Sequence, residues 1–309
     1  MFSRLSKREK AKLTRLIVIA LVVLVSFIVT KFEEKAESSK ILHDGKDQNS
    51  IYHSVHFIDA MQGDCTLIET SGGKFALIDA STRDATDKII SYLQNEGVEE
   101  LEYVIFTHPH EDHIGGGDDV INTFKVNTVY MNDRTENTTA YENLLESIKN
   151  SKKQYGTKVV KAKKGDTFSL DGIEFTILSD GKDYDDANNS SICLMVEYGK
   201  TGILFTGDAE KKVEKELLAS DFSLEAEIYK CAHHGSSTSN SEKFLGEIDP
   251  EICIISCGKD NDYGHPHDEV LEYLYENDID FYTTHIDGDI VIDFDMENIF
   301  LPSGVYNAE

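Results

Sequence analysis

The chain has 309 residues, with 57 Asp and Glu against 30 Lys and Arg, for a formal net charge of −27. That balance excludes general attraction to anionic lipid or bare polyphosphate as the way a partner is found. Five cysteines, an odd number with no Cys-x-x-Cys spacing, exclude a disulfide framework and read as buried free thiols.

The charge is unevenly spread. Residues 1–30 hold six basic residues (Arg4, Lys7, Arg8, Lys10, Lys12, Arg15) and one acidic residue, Glu9, a charge of +5 that leaves −32 on the rest. Behind this head, Leu16 to Thr30 is an uncharged run of Leu, Ile and Val closed by Lys31. Fifteen residues fall short of the ~20 needed to span a bilayer, but Leu13 and Thr14 extend the run and Arg15 and Lys31 can snorkel. Residues 1–31 are therefore expected to be a basic head and single transmembrane anchor, with the remainder outside the cell membrane. The competing reading is a cleaved leader and a secreted product. The nearest small-x-small pair, Ala36-Glu37-Ser38, sits in a charged setting well past the apolar core. Residues 32–50 lack periodicity and read as a flexible tether, leaving residues 51–309 as one large or two fused half-domains.

Within that domain, Ser54–Asp59, Cys65–Glu69 and Phe75–Asp79 are expected as strands joined by tight turns, with Gly72-Gly73 as a hairpin signal. A helix follows over Asp84–Asn95, stopped by Gly97. Leu101–Phe106 is a buried strand, followed by helices near Asp118–Phe124 and Thr139–Asn150 around a strand at Val126–Met131. In the second half, strands are expected at Ile173–Leu178, Ser191–Tyr198, Gly202–Thr206, Ala226–Cys231, Ile252–Ser256, Asp280–Thr284 and Asp289–Phe294. Helices are expected at Ala209–Ala219, Ser241–Gly246 and His267–Asn277. Consecutive hairpins at the start of each half argue against a purely parallel, doubly wound sheet.

The densest chemistry follows Phe106. Thr107-His108-Pro109-His110-Glu111-Asp112-His113 leaves the strand through a proline, which forces His108 into extended backbone. His108 and His110 then point the same way and can share one ion, while Asp112 and His113 reach a second. Imidazole with carboxylate suits zinc, manganese or iron. Other polar residues sit at strand ends too: Asp79, Asp208 in Thr206-Gly207-Asp208, His265 in Gly264-His265-Pro266, and His233-His234-Gly235-Ser236-Ser237. The last group fits a metal ligand beside a phosphate-binding nest. His43, His53 and His56 belong to the tether or the first strand and are given no chemical role.

The order His-x-His-x-Asp-His resembles the signature of the metallo-β-lactamase superfamily. The resemblance implies an α/β, four-layered αββα sandwich with a metal site along one edge. It also implies that Asp79 orders the metal loop and that Asp208 bridges two ions. Further motifs narrow it: Asp59-Ala60-Met61-Gln62-Gly63-Asp64, Asn189-Ser190-Ser191, Thr206-Gly207-Asp208-Ala209-Glu210, Ala232-His233-His234-Gly235-Ser236 and Gly264-His265-Pro266. In order, over about residues 54–295, these resemble the extracellular hydrolase domain of the ComEC competence family. Three departures stand out. Asp-Val-Gly-Gln-Gly-Asp is here Asp59-Ala60-Met61-Gln62-Gly63-Asp64, Asp-Thr-Gly is Asp79-Ala80-Ser81, and no histidine lies between His113 and His233. Asn188, Asn189 or a water must fill the corner of the superfamily's third histidine. The family's multi-span channel portion has no counterpart in these residues, and DNA transport by this chain itself is not expected.

The N-terminal run and the resemblance together imply a membrane-anchored, surface-exposed hydrolase using two divalent ions, zinc or manganese. His108, His110 and Asp208 would hold one ion; Asp112, His113, Asp208 and His233 the other. His234 or His265 would serve the leaving oxygen, and Ser236, Ser237 and Asn189 the substrate. A phosphodiester substrate, DNA or a choline phosphodiester, is expected first. Lactam or lactone hydrolysis and a degenerate metal-binding interaction module are the alternatives, and no obligate protein partner is evident. From the orientation, protease treatment of intact, wall-stripped cells is expected to release a soluble fragment beginning within residues 32–50; full protection would rule the orientation out.

Overall fold

Two runs of strands, each patterned for burial on both faces, build two sheets; the computed structural model describes residues 52–181 and 184–301. In the first sheet, β1 (His53–Phe57), β2 (Thr66–Glu69) and β3 (Phe75–Ile78) are successive antiparallel neighbours. β4 (Glu100–Ile105), β5 (Lys125–Met131) and β6 (Lys158–Lys161) continue it in parallel. β14 (Ile290–Phe294) and β15 (Ile299–Phe300) close it beyond β1. In the second, β7 (Thr167–Leu170), β8 (Ile173–Asp180), β9 (Ile192–Tyr198) and β10 (Thr201–Phe205) are antiparallel. β11 (Ile228–Lys230), β12 (Ile252–Ile255) and β13 (Asp280–Thr283) extend it in parallel.

The period-2 alternation of each strand supplies both faces of its sheet. Val55, Phe57, Ile68, Ile78 and Ile105 from the first sheet meet Phe175, Leu194, Ile203, Phe205 and Ile254 from the second in one shared core. The opposite faces are covered by helices. Leu67, Leu77 and Val104 lie under α1 (Thr86–Asn95), α2 (Glu111–Ile114), α3 (Gly117–Thr123) and α4 (Thr139–Tyr155). Leu204, Tyr229 and Cys253 lie under α5 (Lys211–Leu217), α6 (Glu242–Ile248) and α7 (Asp268–Glu276). A one-turn α8 (Thr284–Asp287) follows β13. This is a mixed α/β sandwich with helices outside two central sheets.

The observed elements match the expected ones except at the margins. β6 and β7 were not expected; both are edge strands, at the end of the first and second sheet respectively, and mostly exposed, so neither carries a clear apolar alternation. The helix expected to stop at Asn150 runs to Tyr155, because the last turn is polar and the stop is Gly156, in the left-handed region at φ 78°. All five cysteines are free and buried. Among the described residues no helix is long and apolar enough to cross a membrane; the expected anchor (residues 1–31) and tether (residues 32–50) lie outside the described residues.

One loop ties the first strand to the strand-end loops. Asp64 N–H donates to the Asp112 carbonyl and Ser81 N–H to the Asp64 carbonyl, at 3.0 and 2.9 Å. Gly63, at φ +148°, lies so close that an added methyl would strike the Asp112 carbonyl oxygen and Ser81 Oγ. Gly63→Ala is expected to cost roughly 1–3 kcal/mol and lower the melting temperature; an unchanged thermal transition would show that the loop gives way.

Candidate metal centre

Every polar residue singled out at a strand end lies along the same edge of the sandwich, where β3, β4, β10, β11 and β12 end. After β4, His110 is extended at φ −71°, ψ 151°, and caps α2, whose single turn carries Asp112 and His113. Thr107, His108 and His113 are buried, and the His108 and His113 rings lie 4.1 Å apart.

Asp79 fixes this loop. Its Oδ1 accepts from Thr107 N–H at 2.8 Å and its Oδ2 from the Thr107 hydroxyl at 2.7 Å. His113 Nδ1 lies 2.8 Å from the same Oδ2, which turns His113 Nε2 towards Asp208. Such a carboxylate behind an imidazole sets its orientation and tautomer.

Asp208, 1% exposed, sits at the centre. Its Oδ1 is 3.1 Å from His113 Nε2 and 3.8 Å from His234 Nε2, and its Oδ2 is 3.7 Å from His108 Nε2 and 3.8 Å from His233 Nε2. Two groups of donor atoms result, each within 4.8 Å: His108, His110 and Asp208, and Asp112, His113, Asp208 and His234. His113 Nε2 and Asp208 Oδ1 face each other without hydrogen-bond alignment and, among the described residues, have no hydrogen-bond partner. Buried polar atoms rarely stay unpaired. The donor chemistry and these orphaned atoms fit divalent cations.

The histidine pair after β11 differs from expectation in which ring turns inward. His233 and His234 are both left-handed, at φ 51° and 55°, and Gly235 follows at +81°. This turn aims His234 into the cluster, with Nδ1 donating to the Ser256 carbonyl at 2.9 Å and Nε2 3.1 Å from Asp112 Oδ2. His233 stays at the rim, its side chain 20% exposed, with Nδ1 3.3 Å from Thr238 Oγ1. His265 lies beside both, ring centroids 5.4 Å from His233 and 6.0 Å from His234, and its buried Nδ1 has no partner among the described residues.

The remaining expected site residues are placed differently. Asn189 is buried and fully engaged: its Oδ1 accepts from Glu210 N–H, and its amide donates to Asp186 and Glu210. The Ser236 hydroxyl is buried against Thr238, whereas Ser237 is half-buried, its N–H donating to His267 Nδ1. Asn188, the other residue expected for the corner of the absent histidine, has its Oδ1 buried and without a partner among the described residues.

Asp64 and Lys230 form a feature that the sequence reading passed over. Lys230 Nζ lies 2.8 and 2.9 Å from the two Asp64 oxygens, and both residues are buried. Asp64 Oδ1 is also 3.3 Å from His234 Nδ1, so the pair joins the two sheets directly behind the site. The available signal was a lysine ending an otherwise apolar strand, since a buried lysine needs a partner.

The charges interlock. Burial would raise Asp208, but His113 and His234 more than offset it and hold it well below the carboxylate range. Asp112, opposed by burial but bonded to His234, is pulled down to about 2. Burial would lower His113 and His234; the carboxylates around them reverse that, holding His113 well above its usual value and His234 up at about 10. Burial, with His234 and His233 beside it, pushes His265 down to about 4.

Back-to-back sheets with imidazoles and carboxylates converging from strand ends define a metal-site sandwich, and the chain belongs to the metallo-beta-lactamase superfamily, whose sequence profile matches residues 58–259. Its relatives include Competence protein ComA of Neisseria gonorrhoeae, 27% identical over 233 residues, covering 74% of this chain and 30% of that one. The chain is 32% identical over 203 residues to ComE operon protein 3 of Bacillus subtilis, covering 65% of this chain and 26% of that one. It is also 32% identical over 252 residues to Recombination protein 2 of Haemophilus influenzae, covering 79% and 29%. The chain thus spans under a third of these relatives. Among solved structures, the fold is similar to the diiron beta-hydroxylase CmlA of Streptomyces venezuelae, with TM-score 0.52, 12% identity and coverage of 82% of this chain and 55% of that one. It is also similar to the metallo hydrolase Igni18 of Ignicoccus hospitalis, with TM-score 0.50, 14% identity and coverage of 78% and 99%. The superfamily and the two donor clusters together imply divalent metal binding.

Metal uptake carries a proton cost. A ligating imidazole must be neutral, and the carboxylates around His113 and His234 raise both, so a metal competes there with protons. Filling the site is expected to release protons and to weaken as pH falls. Calorimetry in buffers of different ionisation enthalpy counts those protons; a release near zero would contradict the charge arrangement.

Proposed function

We propose that the domain is a surface-exposed, membrane-anchored phosphodiesterase, acting on nucleic acid, that uses two divalent ions, zinc or manganese. The observation that carries this reading is the pair of donor clusters meeting on Asp208. The relation to competence proteins supports nucleic acid as the substrate.

In this reading His108, His110 and Asp208 would hold one ion, with Asn188 as the candidate for the corner of the absent histidine. Asp112, His113, Asp208 and His234 would hold the other, so His234 would replace His233 as the ligand from this loop. Bound ions supply a lowered pKa for water and charge neutralisation at a phosphoryl group. Asp79 keeps His113 oriented, and the Asp64–Lys230 pair backs His234. His233, at the rim, would give a proton or hydrogen bond to the leaving oxygen, with His265 beside it. Of the two serines, the half-buried Ser237 makes the contact to non-bridging oxygens.

The cationic side chains favour a phosphodiester over a β-lactam, whose carboxylate needs an anchor. Arg83 is committed to Asp118 and Asp119 at 2.6 and 2.5 Å, and Lys230 to Asp64. Lys259 remains, exposed on the loop after β12, with Lys211, whose Nζ donates to the Ser237 carbonyl at 2.6 Å. The acidic surface favours a second phosphodiester substrate, a choline ester, whose cation it attracts. On DNA the same surface makes cleavage depend on millimolar divalent ion to screen repulsion.

The test is a substrate panel of DNA, bis-p-nitrophenyl phosphate, p-nitrophenyl phosphorylcholine and nitrocefin with added zinc or manganese. Phosphodiester cleavage is expected to exceed nitrocefin hydrolysis. Asp208→Ala should lose more than about a hundredfold in activity, and metal content with it, while His53→Ala, whose ring packs on Tyr198, should change neither. Rapid nitrocefin opening with every phosphodiester untouched would overturn the proposal.

A further inference from the structure

His56 is 4% exposed on the helix-covered face of the first sheet, and its two nitrogens are treated differently. Nδ1 lies 2.8 Å from the Tyr92 hydroxyl, on α1. Nε2 is buried and has no hydrogen-bond partner among the described residues. It faces Glu69 Oε2 on β2 at 3.5 Å, longer than the 2.7–2.9 Å of a charge-assisted hydrogen bond. Glu96, the residue that caps the end of α1, brings a carboxylate oxygen within 4.8 Å of both.

We propose that His56, Glu69 and Glu96 form a further divalent-cation site, distinct in all its ligands from the strand-end cluster. One imidazole with two carboxylates is a donor set that suits zinc. Nitrogen and oxygen ligands of a tetrahedral zinc at 2.0–2.2 Å stand about 3.4 Å from each other, and the 3.5 Å between His56 Nε2 and Glu69 Oε2 is that separation. Tyr92 completes the arrangement: its hydroxyl, 2.8 Å from His56 Nδ1, can accept from Nδ1–H, the tautomer that leaves Nε2 as the lone-pair nitrogen. The position also suits a cation, because the C-terminal end of a helix carries partial negative charge. Entry is open, since the Glu69 side chain is 31% exposed and Glu96 is half-buried. With ligands from β1, β2 and the end of α1, the ion acts as a clamp between sheet and helix, not as part of the hydrolytic centre.

The test uses the full-length protein, dialysed to saturation in zinc, with metal counted by mass spectrometry. The Glu69→Gln/Glu96→Gln double variant is expected to hold one zinc per chain fewer than the unaltered protein, with hydrolytic activity retained. An unaltered zinc count in that variant overturns the proposal. Because a folding defect would also lower the count, a zinc-edge anomalous difference map of the unaltered protein provides the second measurement. A peak between His56 Nε2 and the two carboxylates supports the site; no peak there, in crystals grown with zinc, overturns it.

Discussion

The structure depends on a carboxylate placed where it is expensive. Asp208 is buried at the end of β10, and an unpaired charge there would cost several kcal/mol. Imidazoles from both halves compensate it: His108 and His113 from the loop after β4, and His234 from the loop after β11. Each of these has its own support, from Ser191 beside His108, from Asp79 behind His113 and from Ser256 and Asp64 behind His234. The loops at this edge therefore form one polar network whose parts cannot be changed independently.

The Asp64–Lys230 pair belongs to the same logic. A buried ion pair is weak evidence for stability, because desolvation consumes most of its attraction. Its location gives it another meaning. Asp64 follows β1 in the first sheet, and Lys230 ends β11 in the second. The pair fixes the two sheets against each other where the donor atoms must meet.

Much of this was legible in the residues. The buried strands announced themselves by apolar runs, and His108-Pro109-His110 announced an extended turn that presents two rings to one side. What was not legible depended on distance across the fold. The choice between His233 and His234 rests on two consecutive left-handed residues, which no spacing rule foretells for histidine. Asn189 looked like a substrate contact until its amide proved fully used by Asp186 and Glu210. His56 looked inert because Glu69 and Glu96 approach it only after β2 and α1 have packed. β6 and β7 escaped notice because an edge strand buries too little to show its period.

β6 has a consequence of its own. As the outermost strand of the first sheet it offers, among the described residues, an unpaired backbone edge, with Val159 47% exposed. Such an edge invites another chain to add a strand. Lys158 and Lys161 stand at its two ends, and Lys161 is tied to Asp133. An incoming strand would have to strip water from these ammonium groups and approach a domain of like net charge. The lysines thus work as gatekeepers, letting a mostly acidic protein carry an open sheet edge without growing into a continuous one.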